Sequence, residues 1–185
     1  MNSNKGFTLI ELLITITIMA ILTGIAWSLF SQQKAKAWRQ DCLGGISGTA
    51  QALEVWRNTN GTYSIAGINA YKPAVSNTNL QTCQQRGYQT SANAAGPFAS
   101  CHNACQLTVT IPDTRANAPA DSYLITATRV YNAATPVSDK DSDCNIFALN
   151  DLGQKSATNL AGTSSGFTPG TAALRQIKAK CWLEN

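Results

Sequence analysis

Two hydrophobic patterns follow one another in the first third of the chain. From Phe7 to Phe30 apolar side chains are nearly continuous, and Glu11 is the only charge among 24 residues. At about 1.5 Å per helical residue that run reaches about 36 Å, enough to cross a hydrocarbon core of about 30 Å. Beyond Phe30 the apolar positions turn periodic. Trp38, Cys42, Ile46, Thr49 and Ala50, Leu53 and Trp56 recur every three or four residues, which predicts an amphipathic continuation of the same helix over 31–58. Gly44, Gly45 and Gly48 weaken this stretch by about 1 kcal/mol each relative to Ala, and Asn60-Gly61 supplies the stop. At helical spacing, Trp38 and Trp56 read as core rather than as a binding box.

The periodicity then changes. Residues 59–105 sustain neither helical nor strand spacing and read as a long connecting region holding Cys83, Cys101 and Cys105. Alternation appears at Leu107, Val109 and Ile111, again from Tyr123 to Val130, and a third time from Ile146 to Leu149, predicting short strands. Pro112-Asp113 separates the first two and Asp151-Leu152-Gly153 turns the chain after the third. The expected class is α+β, with a small antiparallel sheet over 106–150 packed on the amphipathic helix. Ser156 to Thr171 lacks strong periodicity, and no internal repeat is visible.

Composition adds to this picture. Only 13% of the 185 residues are charged, and Ser, Thr, Asn, Gly and Ala crowd the chain after residue 58, which implies one domain with a loop-rich surface and a modest core. Six cysteines, all beyond the apolar run, suit an oxidising compartment. Lys5, on the short N-terminal side, points that end to the cytoplasm and starts the globular part beyond the inner membrane. Lys34, Lys36 and Arg39 follow the apolar run, where they solubilise the helix surface or meet lipid headgroups. A cleaved secretory signal would use Lys5 and a cut near Gly24-Ile25-Ala26. Glu11, and apolar residues continuing to Trp27, Leu29 and Phe30, argue against it.

Catalytic and metal chemistry find little support. His102 is the only histidine, and it stands between Cys101 and Cys105. Oxidised cysteines offer no thiolates to a metal, and one histidine without a paired carboxylate motif makes no triad. Asp139, Asp141 and Asp143 alternate, but Lys140 interrupts them and no calcium-loop glycine or terminal glutamate follows, so they read as a solvated turn. No metal site, cofactor or enzymatic activity is expected.

Glu11 demands a partner, because an ionised carboxylate in hydrocarbon costs several kcal/mol and intramembrane acids are by default functional. No residue of the apolar run can supply one. A free amine at Phe7, created by a cut after Gly6, lies one helical turn away and could come from a neighbouring chain. A polar residue snorkelling to the membrane edge is the plainer reading, but it leaves the Gly-Phe junction without a role. Lys5-Gly6-Phe7-Thr8-Leu9-Ile10-Glu11 resembles the prepilin signature of type IV pilins and type II secretion pseudopilins. The resemblance implies cleavage between Gly6 and Phe7 by a prepilin peptidase, N-methylation of Phe7, and pairing of Glu11 with the terminal amine of an adjacent subunit.

Further along, SYLITATRV, DSDCNIFALNDLGQKS and the closing KCW resemble PilE-type minor pilins, as does the stretch from Gln51 to Tyr63. Residues 64–105 are not covered, and Trp27-Ser28 stands where such pilins often carry proline. The type IV pilin fold is implied: a long N-terminal helix, half transmembrane and half amphipathic, packed on a small antiparallel sheet with a disulfide-closed C-terminal region. The expected divisions are a leader over 1–6, a transmembrane helix over 7–30 and a periplasmic globular domain over 31–185. Within the last lie the amphipathic helix 31–58, the connecting region 59–105, the sheet 106–150 and a disulfide-bounded region 144–181.

The same resemblance pairs Cys144 with Cys181, closing a loop of about 38 residues worth about 4 kcal/mol on a chain-entropy argument. The other four cysteines allow three connectivities that the sequence leaves open. Cys42 with Cys83 and Cys101 with Cys105 is the preferred set.

Charge adds a further possibility. Arg57, Lys72 and Arg86 lie between Val55 and Pro112 without an acid, and Lys155, Arg175, Lys178 and Lys180 face only Asp151 between Cys144 and Cys181, so each region is net +3. Together they would form a phosphate-attracting patch, with DNA as partner. The expected role is a structural subunit, a minor pilin of a type IV pilus supporting adhesion, twitching motility or DNA uptake. Its expected partners are other pilin subunits, the prepilin peptidase and the inner membrane before assembly. The alternatives are a type II secretion pseudopilin and a DNA-binding pilin for transformation.

Overall fold

Both N-terminal patterns are carried by one helix, α1 (Leu9–Asn60), in a computed structural model that describes residues 8–71, 83, 87–89, 97–113, 118–131, 141–167 and 171–184. The chain divides into two units, the first ending at Lys36 and the second beginning at Ala37. In the first, every large apolar side chain from Leu9 to Ile25 is exposed. The window Leu9–Ala26 has a mean hydropathy of 2.3 and is long and apolar enough to cross a membrane.

In the second unit the amphipathic part of α1 buries Cys42, Ile46, Thr49 and Leu53 completely, at the spacing its sequence announces. The helix stops where expected: Asn60 is its last residue, and Gly61 takes φ +82 while its N–H reaches the Arg57 carbonyl. Only a residue tolerant of that left-handed backbone closes the helix cheaply. A short helix α2 (Ile65–Ala70) follows, capped by the Ser64 hydroxyl. Its Gly67 lies so close to the half-buried Trp56 that any Cβ would overlap the indole.

Six strands form one antiparallel sheet in chain order: β1 (Tyr88–Gln89), β2 (Phe98–Ser100), β3 (Cys105–Thr110), β4 (Leu124–Arg129), β5 (Ile146–Asn150) and β6 (Lys155–Thr158). The register sets Phe98, Leu107, Ala127, Phe147 and Ala157 in one row across β2 to β6. All five are buried and share the core with α1. Helix α3 (Ala172–Cys181), capped by Thr171, is the last element among the described residues. The Trp182 indole beyond it packs edge-on against Phe147 and donates to the Ser156 carbonyl at 3.0 Å.

The α+β class and three central strands match the expectation within a residue or two. The connecting region 59–105 does not: it contains α2, β1 and β2. Those elements have six, two and three residues, too few to show a period. β6 likewise runs into the stretch read as patternless. After the third strand the turn is built as anticipated, with Gly153 at φ +70 and the Asn150 side chain accepting from the N–H groups of Leu152 and Gln154.

In the structure Cys144 is bonded to Cys181. The preferred pairing of the other four cysteines is overturned, because Cys42 joins Cys105 and Cys83 joins Cys101. Cys42 lies on the buried stripe of α1, and β3 opens with the inward-facing Cys105. Helix–sheet packing therefore brings those two together, whereas Cys101 and Cys105 are separated by the turn that joins β2 to β3.

Candidate assembly site

Thr8 opens α1. Its hydroxyl accepts the Glu11 N–H at 3.3 Å, and its carbonyl accepts the Leu12 N–H, satisfying donors that a helix start leaves orphaned. Three more hydroxyls in the apolar window bond back to the helix: Thr15 to the Leu12 carbonyl, Thr17 to that of Ile14 and Thr23 to that of Met19, each at 2.8 Å. The polar groups of this window are thus satisfied within the helix, as a lipid environment demands. The Glu11 carboxylate differs. No cation among the described residues pairs with it. Gly6 and Phe7, the expected cleavage and methylation positions, lie outside those residues.

The globular unit treats its carboxylates differently. Arg39 is buried on α1 and donates through Nε and Nη2 to the two oxygens of Asp141, at 2.6 and 2.8 Å. Arg129 closes β4 at an inward position, and its Nη1 lies 3.8 Å from the same carboxylate. The Arg129 guanidinium packs over the rings of Trp38 and Tyr131, while its Nε and Nη1 make no hydrogen bond. Burial, the largest influence, pulls the Arg129 pKa down. Burial also leads in pushing the Tyr131 hydroxyl up.

These contacts correct two expectations. Asp141 is not part of a solvated turn, since its side chain is 2% exposed; Asp139 lies outside the described residues. Arg39 is neither a surface solubiliser nor a headgroup contact. Its role was legible in the spacing 39, 42, 46, 49, 53, and that of Arg129 in the inward alternation after Ile125 and Ala127.

A third carboxylate, Glu54, accepts the hydroxyls of Tyr63 at 2.9 Å and Tyr123 at 3.4 Å. Burial first and Glu54 next push the Tyr63 pKa up to about 12 and raise that of Tyr123 as well. Arg57, beside Tyr63 and bridged to Asp121 at 3.0 Å, is shifted up.

Two of the basic residues expected to meet DNA are ion-paired within the chain. Lys155 pairs with Glu184 at 2.8 Å and lies over the Trp182 ring, while Lys180 pairs with Asp143 at 2.6 Å. Arg175 and Lys178 share α3, and Lys72 and Arg86 lie outside the described residues. His102, 68% exposed, sets Nδ1 3.0 Å from Asp41. Among the described residues no group of three or more His, Cys, Asp or Glu is arranged to hold a metal.

A family model described as the prokaryotic N-terminal methylation motif matches residues 1–27. No curated protein matches the chain. The matched motif supports a type IV pilin-like or pseudopilin-type protein, a substrate of prepilin peptidase and a structural subunit rather than an enzyme. It implies assembly with other pilin subunits and, with the apolar helix, is consistent with membrane anchoring beforehand.

Proposed function

We propose that the chain is a minor pilin, a structural subunit of a type IV pilus that supports adhesion, twitching motility or DNA uptake. Prepilin peptidase removes residues 1–6, Phe7 becomes the methylated N-terminus, and residues 7–30 hold the subunit in the inner membrane with 31–185 in the periplasm. Glu11 then pairs with the terminal amine of a neighbouring subunit. One observation carries this reading: within a window of mean hydropathy 2.3 a single carboxylate stands with no cation partnering it among the described residues. Burial in lipid makes such a group seek a counter-ion.

The Cys144–Cys181 closure supports the pilin over the pseudopilin. The ion pairs at Lys155 and Lys180 leave the DNA-binding reading without a specific support. Mass spectrometry of the exported product tests the proposal. It is expected to start at a methylated Phe7, and any other first residue overturns it.

A further inference from the structure

Two of the three disulfides share a local arrangement. Cys42 and Cys144 are each preceded by an aspartate, and each aspartate grips the residue that precedes the partner cysteine. Asp143 meets the Lys180 ammonium at 2.6 Å, one residue before Cys181. Asp41 accepts the Ala104 N–H at 3.3 Å, one residue before Cys105, together with the His102 N–H at 3.2 Å and ring nitrogen at 3.0 Å. Arg39 reinforces the Asp143–Lys180 arrangement from α1, since it holds Asp141 and also donates to the Lys180 carbonyl at 3.2 Å. The Cys181 sulfur lies 3.3 Å from the Asp143 carbonyl.

We propose that Asp41 and Asp143 are pairing guides, which hold the segment before the correct partner and steer Cys42 to Cys105 and Cys144 to Cys181 during oxidation. Six cysteines admit fifteen connectivities, and sequence proximity favours wrong ones: Cys101 is nearer to Cys105 than either is to its true partner. A contact formed one residue from the sulfur raises the effective concentration of the right thiol before any bond is made. The chemistry is thiol–disulfide exchange with a disulfide-carrying oxidant. One cysteine thiolate attacks the oxidant's disulfide and expels a thiolate. The guided partner thiolate then attacks the mixed disulfide, so that the chain loses two electrons and two protons and the oxidant leaves as two thiols.

The guides act by attraction and donor geometry rather than by activating sulfur, because a neighbouring negative charge disfavours the thiolate. Loss of a guide therefore lowers fidelity without slowing the disappearance of thiols. That separates this role from a purely structural one.

The test refolds the full-length reduced chain in detergent with oxidised and reduced glutathione, quenches with iodoacetamide at intervals and maps the bridges by mass. Asp41→Ala is expected to lower the early share of Cys42–Cys105 at least threefold while leaving Cys144–Cys181 unchanged. Asp143→Ala is expected to do the converse, and Lys180→Met to repeat the Asp143→Ala result. Leu53→Ala, destabilising without touching either guide, should lower all bridges together. Wild-type proportions in both aspartate variants, or a uniform fall in all three bridges, would overturn the proposal.

Discussion

Glu11 and Asp141 are the same functional group in opposite circumstances. In the globular unit, Asp141 is buried with two arginines around it, so its charge is answered from within the chain. In the apolar window, Glu11 has an exposed helix around it and no answering cation among the described residues. Both situations obey one rule: a carboxylate removed from water must be paired, or it is expensive. Where the fold provides the pair, the acid stabilises a domain. Where it does not, the acid makes the chain depend on another molecule, which is what a filament subunit requires.

The sharpest way to break this comparison is Glu11→Gln. If the acid exists to meet a neighbour's amine, the neutral variant should still insert and be processed, yet lose filaments at least tenfold when sheared fibres are quantified. Wild-type fibre yield from that variant would show that Glu11 needs no counter-ion. Next in size is Asp141→Asn, which removes the buried carboxylate that pairs with Arg39 and faces Arg129. Breaking such a pair costs about 3–5 kcal/mol, comparable to the 2–5 kcal/mol expected for Leu53→Ala in the core. Urea unfolding should read both, and a cost under about 1 kcal/mol at Asp141 would mean that the cluster is hydrated. Lys180→Met removes a partner that is 57% exposed, so equilibrium stability should fall by less than about 1 kcal/mol.

The contrast was half legible in the chain. Glu11 stands out because nothing charged surrounds it, and the residues that resemble the prepilin signature cluster there. Helix α1 and the three central strands announce themselves because each buries one face over several periods. Asp141 was misread because a carboxylate between two other aspartates, with a lysine beside it, resembles a solvated turn in one dimension. Its partners lie 102 residues away on α1 and 12 residues away at the end of β4, and only the fold brings them in. The preferred pairing of the four other cysteines failed for the same reason. The sequence left three connectivities open for Cys42, Cys83, Cys101 and Cys105, and the helix–sheet interface that joins Cys42 to Cys105 is a tertiary fact. Gly67 carried no signal at all, because the requirement is set by the Trp56 ring against its Cα.

Glu54 supplies the intermediate case, a carboxylate answered by neutral donors. Tyr63 and Tyr123 give it hydrogen bonds only while they keep their protons. The Tyr63 hydroxyl ionises at about 12 in the folded protein, against an ordinary value of 10. The folded state therefore binds the proton more tightly than the unfolded chain does. Its stabilisation is fully present below about pH 10, declines as the unfolded tyrosine ionises and is lost by about pH 12. Tyr123 moves in the same direction and steepens the decline. All six cysteines are paired, so no free thiol is present to start disulfide exchange and mimic the effect. The transition temperature should fall between pH 10 and 11.5, and Tyr63→Phe should flatten that fall. If the variant shows the same slope as the native chain, the Glu54 hydroxyl pair does not distinguish the folded from the unfolded proton affinity. The middle term of the comparison then disappears, leaving only carboxylates that are ion-paired or alone.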